Sequence, residues 1–290
     1  MATLKPNLAE VPDAPIRFPK LASPKLDGIR ALTQVNTTLS RSLKPIPNNH
    51  IREILAPYPN LDGELIIGPP TSHSVYRDSV SGVMSIQGTP AFTYYVFDIL
   101  GDPRPFQERL ASLRQMLLPN YIQVLEQRLV SSQEELDAYY EYCLGLGYEG
   151  VILRNLNALY KHGRSTAKSQ DMLKVKPFAD SEAVITGVYE AQHNTNEAFT
   201  NELGRTDRST AQDGLVGNGM VGGFYATDVH TGVEFNCAPG MLTHDERIHL
   251  WKNQPVGAIL KYRHMPYGLM ANNKPRFPRF VGWRDPIDMG

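Results

Sequence analysis

Hydrophobic patterning changes abruptly at LKVKPFAD, residues 173–180. Before this string, strand-like alternation and helical spacing are mixed, whereas after it short alternating runs take over: EAVITGVYE, MVGGFYATDV, GVEFNC, GAILKYRH and PRFVGWR. Five such runs, each bounded by turn residues, suit a small Greek-key β-barrel. A helix over residues 243–252, with Leu250 and Trp251 on it, is expected to plug that barrel. The fold class that follows is α+β, with a larger domain over 1–178, a smaller one over 181–290 and a hinge at residues 177–180.

The first part has its own signals. Residues 28–35 and 62–67 read as strands, and FTYYVFDIL (92–100) as a buried one. Asn48-Asn49 can cap a helix running to Ala56, with Ile51, Ile54 and Leu55 on one face and Pro57 as the stop. Residues 106–118 repeat Leu110, Leu113 and Leu117 at helical spacing, and Ser132-x-x-Glu135 reads as a capping box for a helix ending near residues 145–147. By contrast, residues 193–219 are polar, Gly-rich and without periodicity, which predicts a long loop.

At 290 residues, 41% hydrophobic and 20% charged, the chain has the composition of a soluble two-domain protein. No run is long enough to span a membrane and the N-terminus lacks the apolar core of a signal peptide, so the expectation is a cytoplasmic protein, not secreted, of a bacterial or phage-infected cell. The two cysteines, Cys143 and Cys237, are far apart and without C-x-x-C spacing, which argues against a disulfide framework or a zinc site. A net charge of −1 shows no global basic excess. Phosphate binding depends on local potential, however, and basic residues gather around Arg164, Lys168, Lys174 and Lys176, and again over residues 261–284.

Chemistry enters at SPKLDGIR, whose K-x-D-G core places Lys25 where its amine can act as a nucleophile. Alone, the string equally describes an Asp-Gly turn at a solvated surface. Four further strings follow it in order: LDGELI at 61–66, YYVFDIL at 94–100, EGVILR at 149–154 and LKVKP at 173–177.

That ordered set, with RFPRFVGWRD at residues 276–285, resembles the ATP-dependent DNA ligases, within the covalent nucleotidyltransferases that include RNA ligases and mRNA capping enzymes. Small phage-type ligases are the nearest likeness, because no helical DNA-binding domain precedes the core and no further extension follows it. The resemblance implies a nucleotidyltransferase (adenylation) domain of antiparallel sheets with helices, then an oligonucleotide-binding (OB) fold. It further implies a monomer that uses ATP with Mg²⁺ or Mn²⁺ to seal nicked double-stranded DNA, as in repair, replication or recombination. RNA ligation, capping-type guanylyl transfer and a non-catalytic DNA clamp are the alternatives.

By the same resemblance, Lys25 is the catalytic residue, becoming a lysyl-AMP. Burial, a divalent cation and the neighbouring Lys174 and Lys176, which alternation puts on one strand face, would free its amine for attack. Glu149 is implied as a metal ligand, and Glu64 as a ribose and metal contact. Arg30, Arg41 and Arg154 match phosphate and nucleotide positions, and Phe97 the purine-stacking aromatic, although an aromatic in an apolar strand also suits a core. Gly28 and Gly150 would let backbone approach the nucleotide, or serve turns. Arg164, Lys168, Arg205, Arg208, Arg279 and Arg284 are candidate DNA contacts. Two departures stand out: Ser23 occupies the usually acidic adenine-reading position, and Asp285-Pro286 replaces the usual Asp-Lys.

Overall fold

Alternation in the first half of the chain builds two sheets. The computed structural model describes residues 5–265 and 273–284, so Asp285 and Pro286 lie outside the described residues. The chain divides into two units, Met1–Lys176 and Pro177–Gly290.

The first unit begins with β1 (Asn7–Leu8), β2 (Lys20–Pro24), β3 (Ile29–Gln34), β4 (Thr37–Ser40), α1 (Asn49–Leu55), β5 (Leu61–Ile67), α2 (Val75–Met84) and β6 (Phe92–Ile99). It continues with α3 (Phe106–Gln115), β7 (Ile122–Val124), β8 (Arg128–Val130), α4 (Gln133–Leu146), β9 (Val151–Arg154), β10 (Gly163–Arg164) and β11 (Met172–Val175). One sheet has the order β4-β3-β5-β6-β7, a second β11-β9-β2-β8, and β1 pairs with β10. Pairing is antiparallel except for β6 with β7 and β1 with β10. The larger sheet buries Ala31, Leu65, Tyr94 and Val96 against Ile51 and Leu55 of α1 and Leu113 of α3. The smaller one buries Ala22, Val151, Leu153 and Leu173 against Leu136, Tyr139 and Cys143 of α4.

Local chemistry explains the helix ends. The Asn48 side chain accepts from Ile51 N at 2.9 Å, which satisfies one open donor of α1. Ser132 caps α4 by accepting from Glu135 N at 3.3 Å, but the Glu135 carboxylate returns to Ser131 N (2.7 Å), one residue short of a capping box. α3 stops at Gln115, so Leu117 leaves the expected apolar stripe and is 100% exposed. Pro119 disfavours helical backbone at the residue before it, and Met116 is already extended. No sequence signal marks α2, whose Ser79 and Gly82 are small residues that let it press on β5: Ser79 Oγ accepts from Ile67 N at 3.0 Å.

The second unit contains β12 (Ala179–Asn194), β13 (Ala198–Thr200), β14 (Thr206–Arg208), β15 (Leu215–Asp228), β16 (Glu234–Cys237), α5 (His244–Lys252), β17 (Ile259–Met265) and β18 (Arg276–Arg284). Its sheet has the order β16-β15-β12-β17-β18 around Ala183, Ile185, Phe224, Phe235, Leu260, Tyr262 and Phe280. The expected closed barrel is not formed among the described residues. The edge strands meet in a single parallel bridge, Ala238 to Arg279, with Ala238 N bonded to Pro278 O (3.0 Å) and Phe280 N to Ala238 O (2.9 Å). α5 has a complete Thr243–Glu246 capping box and packs Leu250 and Trp251 on the core, although none of its residues is fully buried. Residues 193–219 are not the structureless loop that their polarity suggests. β12 and β15 pair as far as Asn194 with Leu215, and the tip carries the β13–β14 hairpin. An antiparallel ribbon wet on both faces needs no hydrophobic period. Cys143 and Cys237 are free and buried.

Candidate active site

Three adjacent strands of the smaller sheet bring the motif residues into register. Ile152 of β9 pairs with Ser23 of β2 on one side and Lys174 of β11 on the other. Just beyond, Lys25 N donates to Gly150 O at 2.8 Å. Gly150 has φ +145°, and a Cβ there would stand 2.2 Å from Val175 O and 3.0 Å from Lys176 Cα. A glycine is therefore required for this close passage. It leaves Glu149, 7% exposed, between two lysines: Oε2 takes the hydrogen bond of Lys25 Nζ, and Oε1 lies 3.6 Å from Lys176 Nζ. Leu173 and Val175 point into the α4 core, so Lys174 and Lys176 share the opposite face.

The larger sheet supplies the second wall. Pairing of β3 with β5 sets Arg30 opposite Glu64. Arg30 donates twice to the buried Asp62 carboxylate, at 2.5 and 2.7 Å, and once to Asn7 O at 3.2 Å. Its guanidinium lies 4.6 Å from the centre of the Phe97 ring. Burial pushes the Glu64 carboxyl up to about 7, against the pull of Arg30 and Lys25 and with the push of Asp27 and Asp62. Gly28 allows β3 to lie close to β5, since a Cβ would be 2.4 Å from Leu65 O. Both glycines thus serve the approach of one strand to another.

Cations crowd the same region. Arg41, just after β4, has its pKa lowered by burial and by Arg164 and Arg30. Lys174 is lowered by burial, Arg164, Lys176 and Lys25, with Glu10 working in the opposite direction. Like charges held this close make a place for a polyanion.

Other predicted residues have surroundings of their own. Arg154 does not face an open cleft: it is 3% exposed, bonded to Asp98, and lies over Phe97 and Phe106 at 5.4 and 4.5 Å. Burial pushes the Asp98 carboxyl up, but Arg154 and Arg109 outweigh it and hold it below the usual range. Lys168 is exposed and its carbonyl accepts from Arg17. Arg205, Arg208 and Arg279 are exposed in the second unit, where Arg208 bonds to Asn196 O and Arg284 lies 3.3 Å from Glu182. Among the described residues no group of three or more His, Cys, Asp or Glu forms a metal cage.

Four residues that frame the site went unread: Asp62, Asp98, Arg109 and Tyr160. Tyr160 donates to Asp62 at 2.7 Å, and Arg109, 1% exposed, donates to Asp98 at 2.6 and 3.1 Å. The available signals were aspartates inside apolar strands and an arginine three residues after Phe106, on the core face of α3.

Comparison with known proteins bears on the same residues. The model described as ATP dependent DNA ligase domain matches residues 9–176, and that described as DNA ligase OB-like domain matches 216–284. A DNA ligase of Haemophilus influenzae is 26% identical over 267 residues, covering 91% of this chain and 85% of the relative. One of Thermococcus onnurineus is 34% identical over 100 residues, which is 32% of this chain but 17% of that protein's length. Among solved structures, a Lig E DNA ligase superposes with TM-score 0.75 at 26% identity, covering 97% of this chain and 99% of the other. The Chlorella virus DNA ligase-adenylate superposes with TM-score 0.54 at 28% identity, covering 98% and 100%. The lysine-bearing unit falls almost wholly within a match that takes in more than half of the 290 residues, and the chain belongs to the family of ATP-dependent DNA ligases.

Proposed function

We propose that this protein seals nicks in duplex DNA through an enzyme-bound adenylate on Lys25, acting as a monomer in the cytoplasm. The observation that carries the reading is Lys25 held against Glu149, with Lys176 on the far side of the same carboxylate. Attack requires the amine to shed a proton, and Glu149 Oε2, already bonded to Nζ, is positioned to take it. Lys25 Nζ then forms an N–P bond to the α-phosphorus of ATP while the bond to pyrophosphate breaks. The AMP passes next to a DNA 5′-phosphate, and the adjacent 3′-hydroxyl displaces it to close the backbone. Each step is an in-line displacement governed by positioning and electrostatics.

The residues divide accordingly. Lys174, Lys176, Arg41 and Arg164 offset phosphate charge, as the mutual repulsion that lowers Arg41 and Lys174 supports. Arg30 and Phe97 line the nucleotide wall, Arg154 braces Phe97 from within, and Ser23 in β2 takes the adenine-reading position. Glu64 and Glu149 offer hard carboxylate oxygens near Lys25, a partial shell that fits Mg²⁺, which keeps waters and completes its sphere with substrate phosphates. Mg²⁺ or Mn²⁺ so bound would supply charge neutralisation on the phosphates. Arg205, Arg208, Arg279, Arg284 and Lys168 serve as backbone contacts to DNA.

Incubation with ATP and magnesium should yield a covalent adenylate detectable by mass, absent from Lys25→Ala. A wild-type protein that forms none, or a Lys25→Ala protein that does, overturns the proposal.

A further inference from the structure

The segment Asn7–Glu10 precedes the nucleophile by more than a dozen residues, yet it is laid into the site. Asn7 and Leu8 pair with Gly163 and Arg164. Glu10 N donates to Met172 O (3.1 Å) and Lys174 N to Glu10 O (2.8 Å), so Glu10 is clamped beside β11. Arg164 donates to Ala9 O at 2.9 Å, and its Nε lies 3.8 Å from Glu10 Oε2. The other carboxylate oxygen, Oε1, accepts from Val11 N at 2.9 Å. The Glu10 carboxylate thus lies beside Arg164, and its charge also reaches Lys174.

We propose that Glu10 is a built-in counter-anion: its carboxylate neutralises Arg164 and Lys174 when no substrate phosphate is present, yields to an incoming phosphate, and by remaining beside it speeds release. The assignment rests on the reading of Arg164 and Lys174 as phosphate-binding residues. The geometry suits an exchangeable partner. Arg164 and Glu10 are 42% and 31% exposed and 3.8 Å apart, so the pair is weak and a phosphate dianion can replace it cheaply. The backbone clamp prevents the carboxylate from moving far when displaced. It therefore opposes whichever phosphate is bound, the triphosphate of ATP or the 5′-phosphate of a nick.

Glu10→Gln keeps the backbone clamp and an acceptor for Val11 N while removing the charge. The full-length variant should bind a 5′-phosphorylated nick about fivefold tighter than wild type, or reach half-maximal adenylation at about fivefold lower ATP, as expected for loss of a weak ion pair. A gain with the nick assigns the displaced contact to DNA, and a gain with ATP assigns it to the triphosphate. The gain should vanish in an Arg164→Gln background and be absent for a 5′-hydroxyl nick. A variant that matches wild type or binds both ligands more weakly, as a merely structural strap residue would, overturns the inference alone. A wild-type protein that adenylates but does not distinguish 5′-phosphate from 5′-hydroxyl and binds ATP independently of Arg164 overturns the phosphate reading as well.

Discussion

The two units handle charge in opposite ways. In the first, charged groups go inside in matched sets: Asp62 with Arg30, Asp98 with Arg109 and Arg154, Glu149 with Lys25 and Lys176. In the second, ion pairs such as Asp180 with Lys261 and Arg263, or Glu182 with Arg284, stay at the surface over an aromatic core of Phe224, Phe235, Tyr262 and Phe280. Buried charge is expensive and tolerated only when paired, so the first unit obtains fixed side-chain geometry. Exposed charge is cheap and screened by salt, which suits adjustable contact with a polyanion.

The contrast is most severely tested at Asp98. Asp98→Ala would leave two buried guanidinium groups without their carboxylate and should cost about 3–5 kcal/mol. Urea unfolding that shows a loss below 1 kcal/mol would mean that the interior charges of the first unit are not interdependent. Among the described residues of the second unit two charged side chains are buried exceptions, Asp228 and Arg276, and Asp228 is 4% exposed. Burial pushes its carboxyl up, but hydrogen bonds from Tyr262, Thr231 N and Ser181 outweigh that and hold it at about 2. A depressed aspartate stabilises the fold above its unfolded value near pH 4 and loses that contribution as pH falls towards 2, so Asp228→Asn should lose about 2 kcal/mol at pH 7 and converge with wild type in acid. A difference independent of pH between 2 and 5 would refute the assignment. The smallest effect is expected at exposed Arg279, where Arg279→Ala should weaken nick binding a few-fold and lower the slope of log affinity against log salt by about one. An unchanged slope would remove this residue from the DNA-facing set.

Legibility followed range. Helix caps at Asn48 and Ser132 need partners within three or four residues, and each is realised, although the full box expected at Ser132 is not. Leu117 failed because periodicity counts residues but is blind to a helix that stops two positions earlier. The ribbon over residues 193–219 escaped notice because its backbone pairing carries no hydrophobic signature. At the site, Lys25, Glu149 and Lys176 were readable as motif members. Arg154 was readable as a motif member too, but its burial was not, since that depends on Asp98 and Phe106 from distant elements.

The sequence by itself determined the ordered motifs, the candidate nucleophile, the change from mixed to all-β patterning and the starts of α1, α3, α4 and α5, because these depend on residue type and near neighbours. Tertiary structure decided which carboxylate meets which cation, that Glu10 lies beside Lys174, and that the second sheet joins its edges through one bridge. Those outcomes depend on strand register, which brings together residues far apart in the chain, 124 positions for Lys25 and Glu149 and 41 for Ala238 and Arg279, and leaves no mark on the local pattern.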